Sequence, residues 1–88
     1  MLEKQRAEID VIDREIVALF ERRMQVVVDV ARIKKENGIA ILDANREKEV
    51  IAKVQSYLKD DHLKEELAEA YETLMKVSKD YQLKQMKA

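Results

Sequence analysis

Two cationic side chains lie near the middle of an apolar helical stripe, where a hydrophobic residue is expected. With Val27 placed at zero and 100° per residue, Arg23 falls at about −40° and Lys34 at about −20°. Arg22 falls at about −140° and faces water, as an ordinary surface arginine does. Long basic side chains also snorkel from the edge of a stripe, but burying an unpaired ion costs several kcal/mol. The pattern therefore predicts that Arg23 and Lys34 face an enclosed anion.

Further polar side chains accompany these two cations on the apolar faces. On the second helical segment, the inner face is predicted at Val50, Val54 and Tyr57. The polar residues on such faces or at their borders are Arg6, Arg46, Glu47, Ser78 and Gln82. Each alone has an ordinary structural explanation, such as a serine hydroxyl that bonds the carbonyl of the preceding turn. Together they predict a site for a small polyanion, because forked arginine contacts suit carboxylate oxygens.

The separation of these cations along the first helix predicts a site shared between two chains. At 1.5 Å per residue, Arg6 and Lys34 are about 42 Å apart, whereas Arg23 and Lys34 are about 16 Å apart. One small ligand cannot contact both Arg6 and Lys34 of the same chain. If Arg6 belongs to the site, it comes from a partner chain, and a dimer has two equivalent sites.

Composition and periodicity predict an all-α chain of three helices, the first of them long. The sequence has no proline and one glycine, and it is rich in strong helix formers. The first helix is predicted over residues 2–37, with Gly38 as its left-handed stop. Asp43 is predicted to cap the second helix, and Asp60 or Asp61 the third.

The length of the first helix predicts how the chain assembles. Eighty-eight residues predict a single domain, residues 1–88. A helix of 36 residues is about 54 Å long, whereas a globule of this chain length has a radius of gyration of about 12 Å. The helix therefore protrudes with its apolar stripe uncovered. A second copy covers it most economically, which predicts an intertwined helical homodimer.

Charge and cysteine content disfavour several other classes of protein. Without cysteine the chain has no disulfide or thiolate metal site, which is consistent with a cytoplasmic location. The net charge is −1 with acids and bases interspersed, so nucleic-acid binding is disfavoured. No N-terminal apolar run resembles a signal peptide, and no stretch approaches 20 apolar residues, so no membrane association is expected.

Several motifs, with their joint spacing, resemble the all-helical (AroQ-class) chorismate mutase family over nearly the whole chain. The opening carries R-x-x-I-D-x-I-D from Arg6, and E-R-R at Arg23 is followed by Lys34 eleven residues on. The linker and second helix read G-I-A-I-L-D-A-N-R-E, and the chain closes with a serine and a glutamine four residues apart. Two features depart from the family: Ala40 stands where proline is common, and placing Ser78 and Gln82 requires a small length adjustment.

The resemblance implies conversion of chorismate to prephenate, in the shikimate pathway to phenylalanine and tyrosine. This intramolecular Claisen rearrangement needs no nucleophile, metal or cofactor. By the resemblance, the catalytic residues are Arg23, Lys34 and Gln82, with Lys34 and Gln82 bonding the ether oxygen of the substrate. The implied substrate-binding residues are Arg6 of the partner chain, Arg23, Lys34, Asp43, Arg46, Glu47, Ser78 and Gln82.

Two other functions stay open on the sequence alone. An isochorismate pyruvate-lyase shares the fold and a similar cationic pocket, although the presence of both Asp43 and Glu47 favours the mutase. A non-catalytic helical dimerisation module would have no use for inward-facing Arg23 and Lys34. The sequence also leaves open whether the chain is free-standing or belongs to a bifunctional protein, and whether a fused or associated pathway enzyme accompanies it.

Overall fold

The computed structural model describes residues 1–87, in which three α-helices and one short 3₁₀-helix follow one another without any strand. The α-helices are α1 (Glu3–Glu36), α2 (Ala44–Ser56) and α3 (Lys64–Lys87), and the 3₁₀-helix is Asp61–Leu63. Within residues 1–87, no helix is both long enough and apolar enough to cross a membrane. The prediction of an all-α chain with a long first helix is confirmed. The predicted domain of residues 1–88 extends one residue beyond the described part.

The end of α1 follows from the glycine that comes after it. Gly38 has φ 65°, a left-handed conformation that costs little without a Cβ atom. This turn brings the N–H of Ile39 to the carbonyl of Lys34 at 2.8 Å, which satisfies one of the free carbonyls of the last helical turn. The side chain of Asn37 donates to the carbonyl of Ile33 at 2.8 Å. The predicted stop at Gly38 is therefore confirmed.

Aspartates begin the two elements that follow the linkers. Asp43 is extended at φ −139°, and its side chain accepts a hydrogen bond of 3.0 Å from the N–H of Arg46, as predicted. Asp60 accepts a hydrogen bond of 3.0 Å from the N–H of His62, at the start of the 3₁₀-helix that leads into α3. Of the two aspartates predicted as candidate caps of the third helix, Asp60 caps the short 3₁₀-helix that directly precedes α3.

The small interior lies where α3 packs against α1 and against α2. Val27 and Ala31 of α1 and Ser78 of α3 are the buried residues of the described chain. The prediction that α2 has an inner face is confirmed for Val50 and Val54, which are half-buried. It is wrong for Tyr57, which is 67% exposed although its backbone keeps a helical conformation, because no element of residues 1–87 covers the face of α2 at this point.

The N-terminal half of α1 extends away from this interior. Every side chain in residues 1–22 is exposed, including large apolar ones at Ile9, Ile12 and Ile16. The molecule measures 54 × 27 × 15 Å and has a radius of gyration of 15.9 Å, well above the value of about 12 Å for a globule of this length. The predicted protruding rod is confirmed, and no other part of residues 1–87 covers its apolar stripe.

Candidate active site

A cleft of about 330 Å³ lies between the C-terminal half of α1, the start of α2 and the C-terminal half of α3. Its polar lining consists of Arg23, Lys34, Asp43, Arg46, Glu47, Ser78, Lys79 and Gln82. Its apolar lining consists of Val27, Val30, Ile41, Val50 and Met75. Seven of the eight site residues predicted from the sequence thus come together around one cavity, although they come from three separate helices and a linker.

Arg6 is the predicted site residue that does not reach this cleft. It is exposed on the N-terminal half of α1, almost five helical turns before Arg23. Because α1 is one continuous helix, its axial rise keeps Arg6 about 42 Å from Lys34. The cleft of a single chain therefore lacks Arg6. Arg6 can belong to such a site only if a partner chain supplies it.

Arg23 is held in the cleft by a serine and not by a carboxylate. Its Nη1 donates a hydrogen bond of 2.6 Å to Oγ of Ser78, which is only 4% exposed. Oγ of Ser78 in turn donates to the carbonyl of Leu74 at 2.8 Å, the ordinary bond of a helical serine to the preceding turn. The serine is thus both a local helix-bonding residue and the acceptor that orients Arg23.

Lys34 links α1 to the linker that precedes α2. Its Nζ donates a hydrogen bond of 3.1 Å to the carbonyl of Ile41. An ammonium group has three donors, so two remain for a ligand. Within residues 1–87, no carboxylate lies at ion-pairing distance from Lys34 or Arg23. Both half-buried cations therefore keep an uncompensated positive charge that faces the cleft.

The first turn of α2 brings both acidic and basic groups to the cleft. One carboxylate oxygen of Asp43 is used by the helix cap, which leaves the other for a ligand. Glu47 is half-buried, whereas the Arg46 side chain is 61% exposed and lies 3.8 Å from the carboxylate of Glu49. Such an exposed pair contributes at most about 1 kcal/mol, so a carboxylate ligand can displace Glu49 at little cost.

Gln82 has a hydrogen-bonding group that the described residues leave unused. It lines the cleft from the last turns of α3, and its Oε1 is buried without a hydrogen-bond partner in residues 1–87. An unsatisfied buried acceptor costs about 1–3 kcal/mol. A ligand or a second chain that supplies a donor would remove this cost.

Lys79 lines the cleft although the sequence reasoning did not select it. It follows Ser78 on α3 and is half-buried. On a helical projection it lies about 120° from Leu67, a half-buried apolar residue of α3. This angle is too wide for an inward position by periodicity alone. Its place in the cleft depends on how α3 crosses α1, which the sequence does not specify.

The arrangement can bind a small molecule with two carboxylates and stabilise negative charge on one of its oxygens. Cations from α1 and α2 can bind the carboxylates, and the ammonium of Lys34 and the amide of Gln82 can donate to an oxygen between them. Within residues 1–87, no group of three or more histidine, cysteine or acidic side chains is placed to hold a metal ion.

Comparisons with known proteins relate the chain to one family. Residues 5–83 match the family described as chorismate mutase type II. The chain is 36% identical to a protein named chorismate mutase from Methanocaldococcus jannaschii, in a match that covers 70% of this chain and 63% of that protein. It is 33% identical to the T-protein of Haemophilus influenzae, in a match that covers 75% of this chain and 20% of the T-protein. The chain thus spans less than two thirds of each of these relatives. No solved structure gives a significant match.

Proposed function

The chain belongs to the chorismate mutase type II family, and from this premise we propose that it converts chorismate to prephenate. In this rearrangement an ether C–O bond breaks while a C–C bond forms within the same molecule. The observation that carries the proposal is the cleft in which Arg23, Lys34 and Gln82 meet. An intramolecular reaction needs only conformational selection and charge stabilisation, and these side chains can supply both.

The carboxylates of the substrate are proposed to bind to arginines. Arg23 is already oriented by Ser78 and has no carboxylate partner among the described residues, so its guanidinium is available for a forked contact. Arg46 joins it by leaving Glu49. Ser78 then assists through Arg23, because its own proton is given to the carbonyl of Leu74.

The ether oxygen of the substrate is proposed to accept hydrogen bonds from Lys34 and Gln82. Negative charge develops on this oxygen as its C–O bond breaks, so donors fixed beside it stabilise the transition state more than the ground state. One such donor contributes about 3–4 kcal/mol in an enclosed site. The bond from Lys34 to the carbonyl of Ile41 supports preorganisation, because it fixes the ammonium before the substrate arrives.

The ring hydroxyl of the substrate is proposed to bind to the acidic side of the cleft. Glu47 is half-buried there, and Asp43 retains one carboxylate oxygen that its capping role does not use. This pair of carboxylates favours the mutase over an isochorismate pyruvate-lyase, the second enzyme that a cationic helical cleft would suit. The dimerisation module without catalysis remains the alternative of another class.

A homodimer forms part of the proposal. The N-terminal half of α1 exposes a continuous apolar stripe, and Arg6 lies on the same rod, far from the cleft of its own chain. A second copy of the chain would cover the stripe and would bring Arg6 to the partner's cleft, so that each of the two sites draws on both chains.

The setting of this activity is also proposed. Residues 1–88 would form one chorismate mutase domain that acts in the cytoplasm without a cofactor. The match to the T-protein, of which the chain covers a fifth, supports a fused or associated pathway enzyme as a partner of such a domain.

The decisive experiment follows the loss of chorismate absorbance with the purified chain and identifies the product by chromatography. Lys34→Ala is tested beside Lys48→Ala, which removes a lysine that is exposed on α2. We expect prephenate from the wild type, a fall in kcat of about 10²–10³-fold for Lys34→Ala, and normal turnover for Lys48→Ala. Salicylate and pyruvate formed from isochorismate, with little prephenate, would favour the lyase. No turnover of either compound would favour the dimerisation module.

A further inference from the structure

Lys79 differs from Lys64, Lys76 and Lys84 of α3, which are all exposed. It is half-buried beside Ser78 and lines the cleft. Lys76, one turn earlier, is exposed and donates a hydrogen bond of 2.9 Å to Asp80. Asp80 is thereby engaged, and no carboxylate in residues 1–87 lies at ion-pairing distance from Lys79. Lys79 therefore lines the cleft without an ion pair of its own, although the charge of Asp80 acts on it from beyond ion-pairing distance.

The numbers of cations and carboxylates that line the cleft indicate an electrostatic function for Lys79. The cations that line the cleft are Arg23, Lys34, Arg46 and Lys79, and the carboxylates are Asp43 and Glu47. In the cleft of one chain the excess of positive charge is two with Lys79 and one without it, and the proposed Arg6 of the partner chain would add one more in either case. Because low-dielectric walls focus the field of such charges, an additional cation raises the local concentration of an anionic substrate.

We propose that Lys79 is a further substrate-binding residue, whose ammonium attracts a carboxylate of the substrate and sets affinity. This inference rests on the proposed function, since it assumes a dianionic substrate in this cleft. The carboxylates keep their charge throughout the rearrangement, so Lys79 stabilises the bound substrate and the transition state equally. Such uniform binding lowers KM and leaves kcat unchanged.

The test compares three variants in steady-state assays with chorismate at low and high salt. Lys79→Met keeps the aliphatic stem but removes the charge, and Lys79→Arg keeps the charge. Lys84→Met is the matched control, because Lys84 is exposed on the same helix and lies outside the cleft. We expect Lys79→Met to raise KM about five- to tenfold at low salt with kcat within about twofold of wild type. This difference should shrink at high salt, because mobile ions screen the charge.

The variants also separate an electrostatic role from a structural one. Lys79→Arg should keep a KM close to that of the wild type. The proposal is overturned if Lys79→Met behaves like Lys84→Met, if Lys79→Arg is as impaired as Lys79→Met, or if kcat falls while KM is unchanged.

Calorimetric titration with prephenate separates the failure of this inference from the failure of the proposed function. A wild-type chain that does not convert chorismate would refute the proposed function. Weaker prephenate binding by Lys79→Met than by Lys84→Met would still support the role of Lys79 in such a chain. Equal binding by the two variants, or no binding by the wild type, would refute it.

Discussion

Nη1 of Arg23 lies 2.6 Å from Oγ of Ser78, so a hydrogen bond joins α1 to α3 at the wall of the cleft. The serine is almost fully buried, and its proton goes to the carbonyl of Leu74, so its oxygen has a fixed position. A neutral acceptor orients the guanidinium without neutralising it. This relationship explains how Arg23 can be preorganised and still attract an anion.

Removing this acceptor should therefore weaken substrate binding. Ser78→Ala is expected to lower kcat/KM about tenfold, because the lost hydrogen bond to a charged group is worth about 1.5–3 kcal/mol and water replaces only part of it. Steady-state kinetics measure the effect. The control is Ser56→Ala, which changes an exposed serine of α2 that bonds only its own helix. Equal kcat/KM for the two variants would show that Ser78 does not orient Arg23 for the substrate.

Because Gln82 is a neutral amide, its hydrogen-bond donation to the ether oxygen should not depend on pH. Donation from a carboxyl at this position should depend on pH. Gln82→Glu can donate to the ether oxygen only while it is protonated. Its kcat should therefore fall as the pH rises through the pKa of the introduced carboxyl. Rates measured between about pH 5 and 8 span the range where a carboxyl in this setting ionises. Gln25→Glu, at an exposed position of α1, should keep the flat profile of the wild type. A flat profile for Gln82→Glu would contradict the role of Gln82 as a donor.

A site shared between chains predicts complementation between two inactive variants. Arg6→Ala and Lys34→Ala damage opposite ends of α1, so each homodimer should have two defective sites. Unfolding and refolding an equimolar mixture should give half heterodimers, and each heterodimer should have one intact site. The mixture should then show about a quarter of the wild-type activity. A mixture of Lys34→Ala with Arg23→Ala is the control, because both residues belong to the same chain's cleft and each heterodimer keeps no intact site. An activity in the first mixture no higher than in the control would refute the shared site.

A surface pair on α3 makes a separate prediction about ionisation. Nζ of Lys76 donates a hydrogen bond of 2.9 Å to Asp80, and this bond is the main cause that lowers the pKa of the Asp80 carboxyl below its ordinary value. Lys76→Gln should raise the pKa of Asp80, as measured by NMR titration of its carboxyl carbon. Lys53→Gln, which changes an exposed lysine of α2, should leave the pKa of Asp80 unchanged.

The sign of the effect on stability follows from this lowered pKa. The pKa of Asp80 is lower in the folded chain than in the unfolded chain. The Lys76–Asp80 pair therefore stabilises the folded chain fully at pH values above the pKa that Asp80 has in the unfolded chain. This stabilisation is lost as the pH falls through the folded pKa. The difference in unfolding free energy between wild type and Lys76→Gln should therefore disappear in acid. A difference that persists there would point to another cause.

Local signals made most of the fold predictable. Gly38 and Asp43 mark helix boundaries through backbone and side-chain chemistry that acts within a few residues, so the predicted first helix of residues 2–37 is close to the observed Glu3–Glu36. The inward positions of Arg23 and Lys34 follow from the 3.6-residue period of one straight helix. Prediction from local pattern works where the governing interactions are themselves local.

Other features depend on how separate elements meet, and the period of one helix does not contain that information. Lys79 lines the cleft because of how α3 packs against α1, and Tyr57 is exposed because no element of residues 1–87 covers the last turn of α2 on that side. The bond from Lys34 to the carbonyl of Ile41 depends on the path of the linker. The place of Arg6 depends on a second chain and remains a prediction.

The sparse interior of one chain has a consequence for how the stability of the protein depends on its amount. Val27 and Ala31 are the buried apolar residues of the described chain, so one chain alone gains little hydrophobic free energy, and the proposed homodimer would have to supply the rest. Folding and association would then form one equilibrium governed by mass action. Each tenfold dilution would remove about 1.4 kcal/mol from the stability of the folded dimer. Dilution would abolish the site together with the fold, without any change in a residue of the cleft.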